Sequence, residues 1–232
     1  MSKLKLWTPT TWRLLKVKEL YTIGHSNHPI ETFLDLLEQH GITAVCDVRS
    51  HPYSKYNPQF ACKSLKETLK KHDIAYVFLG NELGARPNDS SCYAEGKVQY
   101  ALLAQTPAFK EGIDRLNKGM ESYRIALMCA EKDPLNCHRM ILICRHLRAE
   151  KLKIKHILAD GLLESQREAE QRLIETLSVE QLLELAYDKQ SQKKAHIAPH
   201  QYQLTVREED EDYEQDSTLH DWLREENAQA VF

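Results

Sequence analysis

Short apolar runs alternate with amphipathic segments along most of the chain. The amphipathic segments carry apolar residues at helical spacing, as at Ile30, Phe33, Leu34 and Leu37, which predicts helices with one buried face. Strands that alternate with helices usually pair in parallel through crossover connections. The pattern predicts an α/β fold with a mostly parallel central sheet of about five strands flanked by helices, in a Rossmann-like three-layer arrangement. The predicted strands are residues 20–23, 42–48, 74–79, 125–128 and 152–158.

Both ends of the chain differ from this pattern. Residues 1–19 are basic and irregular, and we interpret them as an N-terminal arm. Residues 20–188 form the predicted α/β domain, whose later helices lie at 62–71, 107–119, up to 150, and 164–177. A capping-box pattern at 178–181 predicts one more helix. Residues 189–232 are polar, with an acidic run at 208–212, and are interpreted as a solvated C-terminal tail.

Composition places the chain among ordinary globular proteins. It has 232 residues, of which 42% are hydrophobic and 28% charged, and a formal net charge of −3. The sequence contains no apolar run near the roughly 18 residues that span a membrane, and its start lacks a signal-peptide core. We therefore expect a cytoplasmic protein with no membrane partner. In a reducing compartment its six scattered cysteines argue against a disulfide framework.

The most chemically suggestive stretch is residues 127–139, which predicts a strand end, a charged loop and a helix start. Asp133 and Pro134 are a helix-start signal. Cys137 is therefore predicted in the first helical turn, where the positive end of the helix dipole favours a thiolate. His138 and Arg139 adjoin it. This combination indicates an active site.

Two other interpretations of the cysteines stay open. Cys137, Ile141 and Cys144 have the i, i+4, i+7 spacing of a buried helix face, and Cys129 ends an apolar strand, so these thiols could be core residues. A metal site is the other interpretation, but no short C-x-x-C pair supports it. We therefore expect no tightly bound transition metal. The residues that could act as ligands are Cys129, Cys137, His138, His25 and His156.

Polar side chains follow the predicted strands, at the sheet edge where parallel sheets bind ligands. Asp47 and Glu131 could form an acid–base or nucleophile pair there, although Asp47 could instead pair structurally with Arg49 or Arg139. The candidate catalytic residues are Cys137, His138, Cys129, Glu131 and Asp47. The candidate substrate-binding residues are His25, Ser26, Asn27, Arg49, Ser54, Lys55 and Arg139.

An anion such as phosphate is the expected ligand of Arg49, Ser54, Lys55 and Arg139. The loop at 130–136 has no glycine and carries two acidic residues, so it is neither a Walker-type nor a phosphatase-type phosphate loop.

Three motifs, at residues 21–27, 47–54 and 129–139, resemble those of the DUF488 family, a widespread and mostly bacterial and archaeal family of unknown function. The resemblance covers residues 20–177. A fourth motif at 83–87 departs from the family by having Ala85 where a second glycine is usual. The resemblance implies an α/β fold and the same site, and it implies no particular reaction.

Together these observations favour an enzyme with a Cys/His/carboxylate site that acts on an anionic, phosphate- or nucleotide-like substrate. The alternative is a non-catalytic module that binds a nucleotide or a nucleic acid through the same edge. The mild negative net charge does not favour a dedicated nucleic-acid binder. The sequence specifies neither a cofactor nor an oligomeric state.

Overall fold

The computed structural model describes residues 18–148 and 152–176. Most of the predicted N-terminal arm, the helix predicted from residue 178 and the acidic tail lie outside the described residues. The predicted division of the chain into arm, domain and tail therefore stays a prediction.

A six-stranded sheet forms the centre of the described domain, and five of its strands are parallel. The spatial order is β3-β2-β6-β1-β7-β8, with β8 antiparallel to β7 at one edge, and β4 and β5 form a separate hairpin. This confirms the predicted α/β fold with a mostly parallel sheet. The strands are β1 (Lys18–Gly24), β2 (Ala44–Asp47), β3 (Ala75–Phe78), β4 (Tyr93–Ala94), β5 (Lys97–Val98), β6 (Ile125–Cys129), β7 (Leu152–Ile157) and β8 (Leu163–Ser165).

Helices cover both faces of the sheet. A π-helical segment, Arg139–Cys144, leads directly into α6. In the described part of the chain, no helix is long and apolar enough to cross a bilayer. The α-helices are α1 (Ile30–Gln39), α2 (Cys62–Lys71), α3 (Gly80–Leu83), α4 (Tyr100–Leu103), α5 (Pro107–Gly119), α6 (Arg145–Leu147) and α7 (Gln166–Thr176).

Alternation along the strands divides the core into two apolar layers. In β6, Leu127 packs into a layer that includes Leu116 of α5 and residues of the π-helical segment. Its neighbour Met128 packs into the opposite layer, with Phe33 of α1 and Leu65 of α2. Burial on both faces explains why β6 is a continuous apolar run.

The structure corrects some predicted boundaries. The segment predicted as a helix from 164 begins as the edge strand β8, and the helix starts at Gln166. The helix predicted to reach residue 150 ends at Leu147. Residues 80–98, for which the sequence predicted no helix or strand, contain α3, a 3-10 turn (Ser90–Cys92) and the β4–β5 hairpin.

The position of β6 between β1 and β2 brings three loops together. The parallel hydrogen bonding continues past the strand ends: His25 N–H donates to Cys129 O and Ser26 N–H to Ala130 O, each at 2.9 Å. Val48 N–H donates to Met128 O at 3.0 Å. From β1 the chain leads to β2 on one side of the sheet, and from β6 it leads to β7 on the other, so the edge at β1 and β6 is a topological switch point, where ligands commonly bind.

Candidate functional site

Four side chains converge immediately after β6, and we refer to Cys129, Glu131, Cys137 and His138 as the thiol cluster. Their ligand-type atoms all lie within 4.8 Å of one another. Glu131 Oε2 is 2.8 Å from Cys129 Sγ and 3.1 Å from Cys137 Sγ. His138 Nδ1 is 3.5 Å from Cys129 Sγ and 3.9 Å from Cys137 Sγ. The structure therefore brings together four of the five predicted catalytic residues.

The backbone around Cys137 differs from the prediction. Asp133 caps a single 3-10 turn, Pro134–Asn136, and Cys137 follows with extended angles (φ −134°, ψ 136°). The predicted first-turn position of Cys137 is therefore wrong, because the following helical segment starts after it. The sulfur still faces the start of that segment, since Arg139 N–H donates to Cys137 Sγ at 3.4 Å and Met140 N–H donates to Cys137 O.

The surroundings of the cluster favour a thiolate at Cys137. Burial raises the pKa of the Cys137 thiol, but the hydrogen bond with Cys129, the charge of Arg139 and the interaction with His138 outweigh burial and hold that pKa well below its ordinary value. Burial and the neighbouring Cys137 hold the pKa of Cys129 well above its ordinary value. The same two causes raise the pKa of the Glu131 carboxyl. These shifts favour a negative charge on Cys137 over one on Cys129.

Arg139 shapes the loop that carries the cluster. Its side chain is fully buried, and its guanidinium donates from Nη1 to Glu131 O at 2.6 Å and from Nη2 to Lys132 O at 3.2 Å. The Nε–H donates to Thr22 Oγ1 at 3.3 Å. All three nitrogens of this predicted anion-binding residue therefore contact protein acceptors.

Asp47, the fifth predicted catalytic residue, forms a buried ion pair with Arg49. The Asp47 carboxylate accepts from Arg49 Nε at 2.9 Å, from Arg49 Nη2 at 2.6 Å and from the Tyr76 hydroxyl at 2.8 Å. The structure thus shows the alternative in which Asp47 pairs with Arg49, whereas Glu131 contacts the two thiols.

The guanidinium of Arg49 also fixes the state of His25. Arg49 Nη1 donates to His25 Nε2 at 3.1 Å, so the ring proton is on Nδ1, which donates to Ser26 O at 2.8 Å. Burial, followed by the charge of Arg49, lowers the pKa of His25 to about 4. His25 is therefore a neutral, buried ring.

The remaining predicted substrate-binding residues lie at the surface. Asn27 and Lys55 are exposed, and Ser26 and Ser54 are half-buried. Ser54 Oγ accepts from Asn57 N–H at 3.0 Å, which stabilises the turn in the loop after β2. We refer to these four residues and the exposed Lys132, all in the loops that follow β1, β2 and β6, as the rim, whereas His25, Arg49 and Arg139 are buried.

Two contributors to the site region were not identified from the sequence. Thr22 lies inside the apolar strand β1 and joins Arg139 to His156, because Thr22 Oγ1 is 2.8 Å from His156 Nδ1. Tyr100 of α4 lies beside the thiol cluster, where burial and then the charge of Cys137 raise the pKa of its hydroxyl. Thr22 falls within the motif at residues 21–27, but its place in an apolar strand gave no sign of a polar role, and no periodicity or motif marks Tyr100. His156, a possible metal ligand from sequence, contacts Thr22 and Gln166 instead of the cluster.

Comparison with known proteins agrees with the resemblance in the motifs. A family model described as "Domain of unknown function DUF488" matches residues 29–145, half of the chain. The matched region contains α1, β2 and the complete thiol cluster. Searches of curated proteins and of solved structures found no match. The predicted family is confirmed, and the chain belongs to the DUF488 family.

Proposed function

We propose that this protein is an enzyme whose chemistry takes place at the thiol cluster, on an anionic, phosphate- or nucleotide-like substrate. The supporting observation is the convergence of two thiols, a carboxyl and an imidazole within 4.8 Å at the end of β6. Burying several ionisable groups in a protein interior costs free energy unless they are mutually compensated. Such clusters are consequently more typical of functional sites than of packing.

Within this proposal Cys137 works as a thiolate. His138 orients and stabilises it, while Glu131 is the carboxylate partner. The hydrogen bond from Arg139 N–H to the sulfur and the nearby guanidinium charge support this role. A thiolate acts in enzymes either as a nucleophile or as a metal ligand. The assignment therefore identifies the reactive centre but does not specify the reaction.

The rim supports an anionic substrate. Lys55 follows β2 and Lys132 follows β6, and both side chains are exposed. Ser26 and Ser54 are half-buried hydroxyl donors in the loops after β1 and β2. Ammonium and hydroxyl groups around a recessed centre are suited to bind phosphate oxygens. Arg49 lies outside this set of contacts, because its guanidinium is paired with the Asp47 carboxylate, which neutralises its charge.

The proposal also includes a cytoplasmic location. All six cysteines are free thiols, and two of them lie within 3.1 Å of the same carboxylate oxygen. A reducing compartment keeps neighbouring thiols in this state.

A substrate screen tests the proposal. Full-length protein is incubated with a panel of nucleotides and phosphorylated small molecules, and products are followed by mass spectrometry. We expect a turnover that Cys137→Ser abolishes and Cys144→Ser retains. Cys144 is the matched control because it is equally buried but lies outside the thiol cluster. Turnover that survives in Cys137→Ser would contradict the proposal. Binding without turnover by the wild-type protein would favour the non-catalytic nucleotide- or nucleic-acid-binding module.

Thiol reactivity gives a second, substrate-independent test. The rate of alkylation by iodoacetamide is followed for each cysteine by peptide mass spectrometry in the presence of a chelator. Cys137 and Cys144 are both almost fully buried, so a difference in their rates reports the thiolate fraction rather than access. We expect Cys137 to react faster than Cys144 at neutral pH. Equal rates would show that Cys137 is a packed core thiol.

A further inference from the structure

We infer that the thiol cluster is a binding site for one thiophilic divalent metal ion of the zinc class. Cys129, Cys137 and His138 are the permanent ligands, and Glu131 occupies the fourth coordination position as an exchangeable ligand. The inference deepens the proposed function, on which it rests for its catalytic meaning, because it gives that site a metal ion. It departs from the expectation based on cysteine spacing, which was that no transition metal is tightly bound.

The distances within the cluster suit such an ion. Zinc–sulfur bonds of about 2.3 Å and zinc–nitrogen bonds of about 2.0 Å place neighbouring tetrahedral ligand atoms about 3.5–3.8 Å apart. His138 Nδ1 lies 3.5 Å from one sulfur and 3.9 Å from the other. Glu131 Oε2 is closer to the sulfurs, at 2.8 and 3.1 Å. Metal entry would therefore require the carboxylate oxygen to move outward by roughly 0.5 Å, and its half-buried position permits this movement.

The hydrogen-bond partners of the ligand residues are also typical of a metal site. His138 Nε2 is 3.0 Å from Val48 O. A carbonyl oxygen only accepts, so Nε2 carries the proton, and in the neutral ring the lone pair of Nδ1 points at the sulfurs. A metal-bound histidine almost always donates its other ring N–H in this way. Arg139 N–H, 3.4 Å from Cys137 Sγ, is a donor to a coordinated thiolate.

The formal charges of the thiol cluster also favour a bound metal ion. Two thiolates and one carboxylate at this spacing would repel each other strongly in a buried site. A divalent ion, with the buried Arg139 guanidinium beside it, balances their formal charge. Arg139 cannot itself replace the ion, because its nitrogens are bound to two backbone carbonyls and to Thr22.

The donor set selects the metal and its use. Two sulfurs and an imidazole favour zinc, iron or copper over magnesium and calcium, which prefer oxygen ligands. Three buried ligands plus one position that is more accessible is the pattern of catalytic rather than structural zinc. Glu131 is the least buried of the four residues, so it is the ligand that a water or a substrate oxygen displaces. When bound, the metal would act as a Lewis acid at that position.

Cobalt titration of the full-length protein tests the inference without relying on activity. Metal is first removed with a chelator under reducing conditions, and Co²⁺ is added while the absorption spectrum is recorded. We expect thiolate-to-cobalt charge-transfer bands and tetrahedral d–d bands that saturate at about one equivalent. Elemental analysis of protein purified without chelators should show about one equivalent of metal.

The variants locate the site. Cys129→Ser, Cys137→Ser and His138→Ala should lose the saturable spectrum, whereas Cys144→Ser and Cys62→Ser, buried thiols outside the cluster, should retain it. Glu131→Gln should still bind Co²⁺ with a changed d–d spectrum. Wild-type protein without a charge-transfer band, or cluster variants that retain it, would overturn the inference.

These outcomes are separable from those of the proposed function. Absence of metal with rapid alkylation of Cys137 would reject the metal and keep the thiolate enzyme. Stoichiometric metal that protects Cys137 from alkylation, with no turnover of any tested compound, would establish the metal site and count against the enzyme.

Discussion

The buried His156 leads to a quantitative prediction about acid stability. Arg139 Nε donates to Thr22 Oγ1, so the threonine hydroxyl has its own proton available for His156 Nδ1, 2.8 Å away. His156 Nε2–H then donates to Gln166 Oε1 at 3.1 Å. The orientation of that amide is fixed by its nitrogen, which donates to Glu170 at 3.0 Å. Each hydrogen bond in this series therefore runs from Arg139 towards Gln166. All of them can form only when the imidazole of His156 is neutral, because His156 Nδ1 must accept from Thr22.

The magnitude follows from the pKa of His156. Burial, followed by the charge of Arg139, lowers that pKa from 6.5 to about 4. The unfolded chain then binds a proton that the folded chain does not, so stability falls as the pH decreases from about 6.5 towards 4 and is fully retained above that window. A shift of one pKa unit corresponds to about 1.4 kcal/mol. His156 alone should therefore cost the fold about 2 kcal/mol between pH 7 and pH 5.

Urea unfolding of wild-type protein and His156→Gln at pH 7 and pH 5 measures this term. Both proteins are kept in EDTA, so that metal release does not contribute. The variant should be less stable at pH 7, yet its free energy of unfolding should fall by about 2 kcal/mol less between the two pH values. His25 has a pKa lowered to a similar degree, but it is present in both proteins, so its contribution cancels in the comparison.

Cys46→Ser is the matched control, because it alters a fully buried side chain and removes no histidine. Its free energy of unfolding should fall between the two pH values by as much as that of the wild type. If His156→Gln loses as much free energy as the wild type on acidification, His156 is not held neutral and the direction of the hydrogen-bond chain is wrong.

Other predictions concern the elements that hold the site. Asp47→Asn leaves the charge of Arg49 buried without its carboxylate, so the free energy of unfolding in urea should fall by about 3–5 kcal/mol; a smaller loss than 1 kcal/mol on the same scale would show that the pair is solvated. Gly24→Ala places a Cβ 1.9 Å from Glu131 O, and should lower the free energy of unfolding by about 1–3 kcal/mol and weaken Co²⁺ binding; an unchanged melting curve would show that the loop moves freely. Removal of residues 189–232 should leave a protein that melts cooperatively, because this acidic segment offers little apolar surface to bury. Insoluble protein after the truncation would show that the segment completes the core.

The fold was predictable where local pattern and tertiary burial agree. Strands buried on both faces must be apolar throughout, so β6 and its parallel neighbours were visible as apolar runs. The amphipathic helices α1, α2 and α5 were predicted for the corresponding reason. β8 was missed because three residues at a sheet edge give too short a pattern. Strand order was not predictable, since the insertion of β6 between β1 and β2 depends on long-range packing.

The candidate site was predictable in its residues but not in its geometry. Cys129, Glu131, Cys137 and His138 were identified because they cluster in sequence after an apolar strand. The distances between these side chains depend on the conformation of the loop, which no sequence motif predicts. The separation of the two cysteines matches no standard zinc spacing, so ligand convergence could only be found in three dimensions.

The loop acquires its shape from the side chain that binds its backbone. The buried guanidinium of Arg139 requires acceptors, and it takes them from the carbonyl groups of Glu131 and Lys132. Gly24 leaves the space that the Glu131 carbonyl occupies, because any Cβ there would overlap it. The carboxyl of Glu131 is thereby directed towards the two sulfurs, and the charge of Arg139 lies close enough to stabilise a thiolate. The sequence suggested that Arg139 binds a substrate anion. In the structure, its charge instead stabilises the thiolate of Cys137. Arg139 is therefore a positioning residue, and the search for the group that contacts substrate shifts to the rim lysines and to the centre of the cluster.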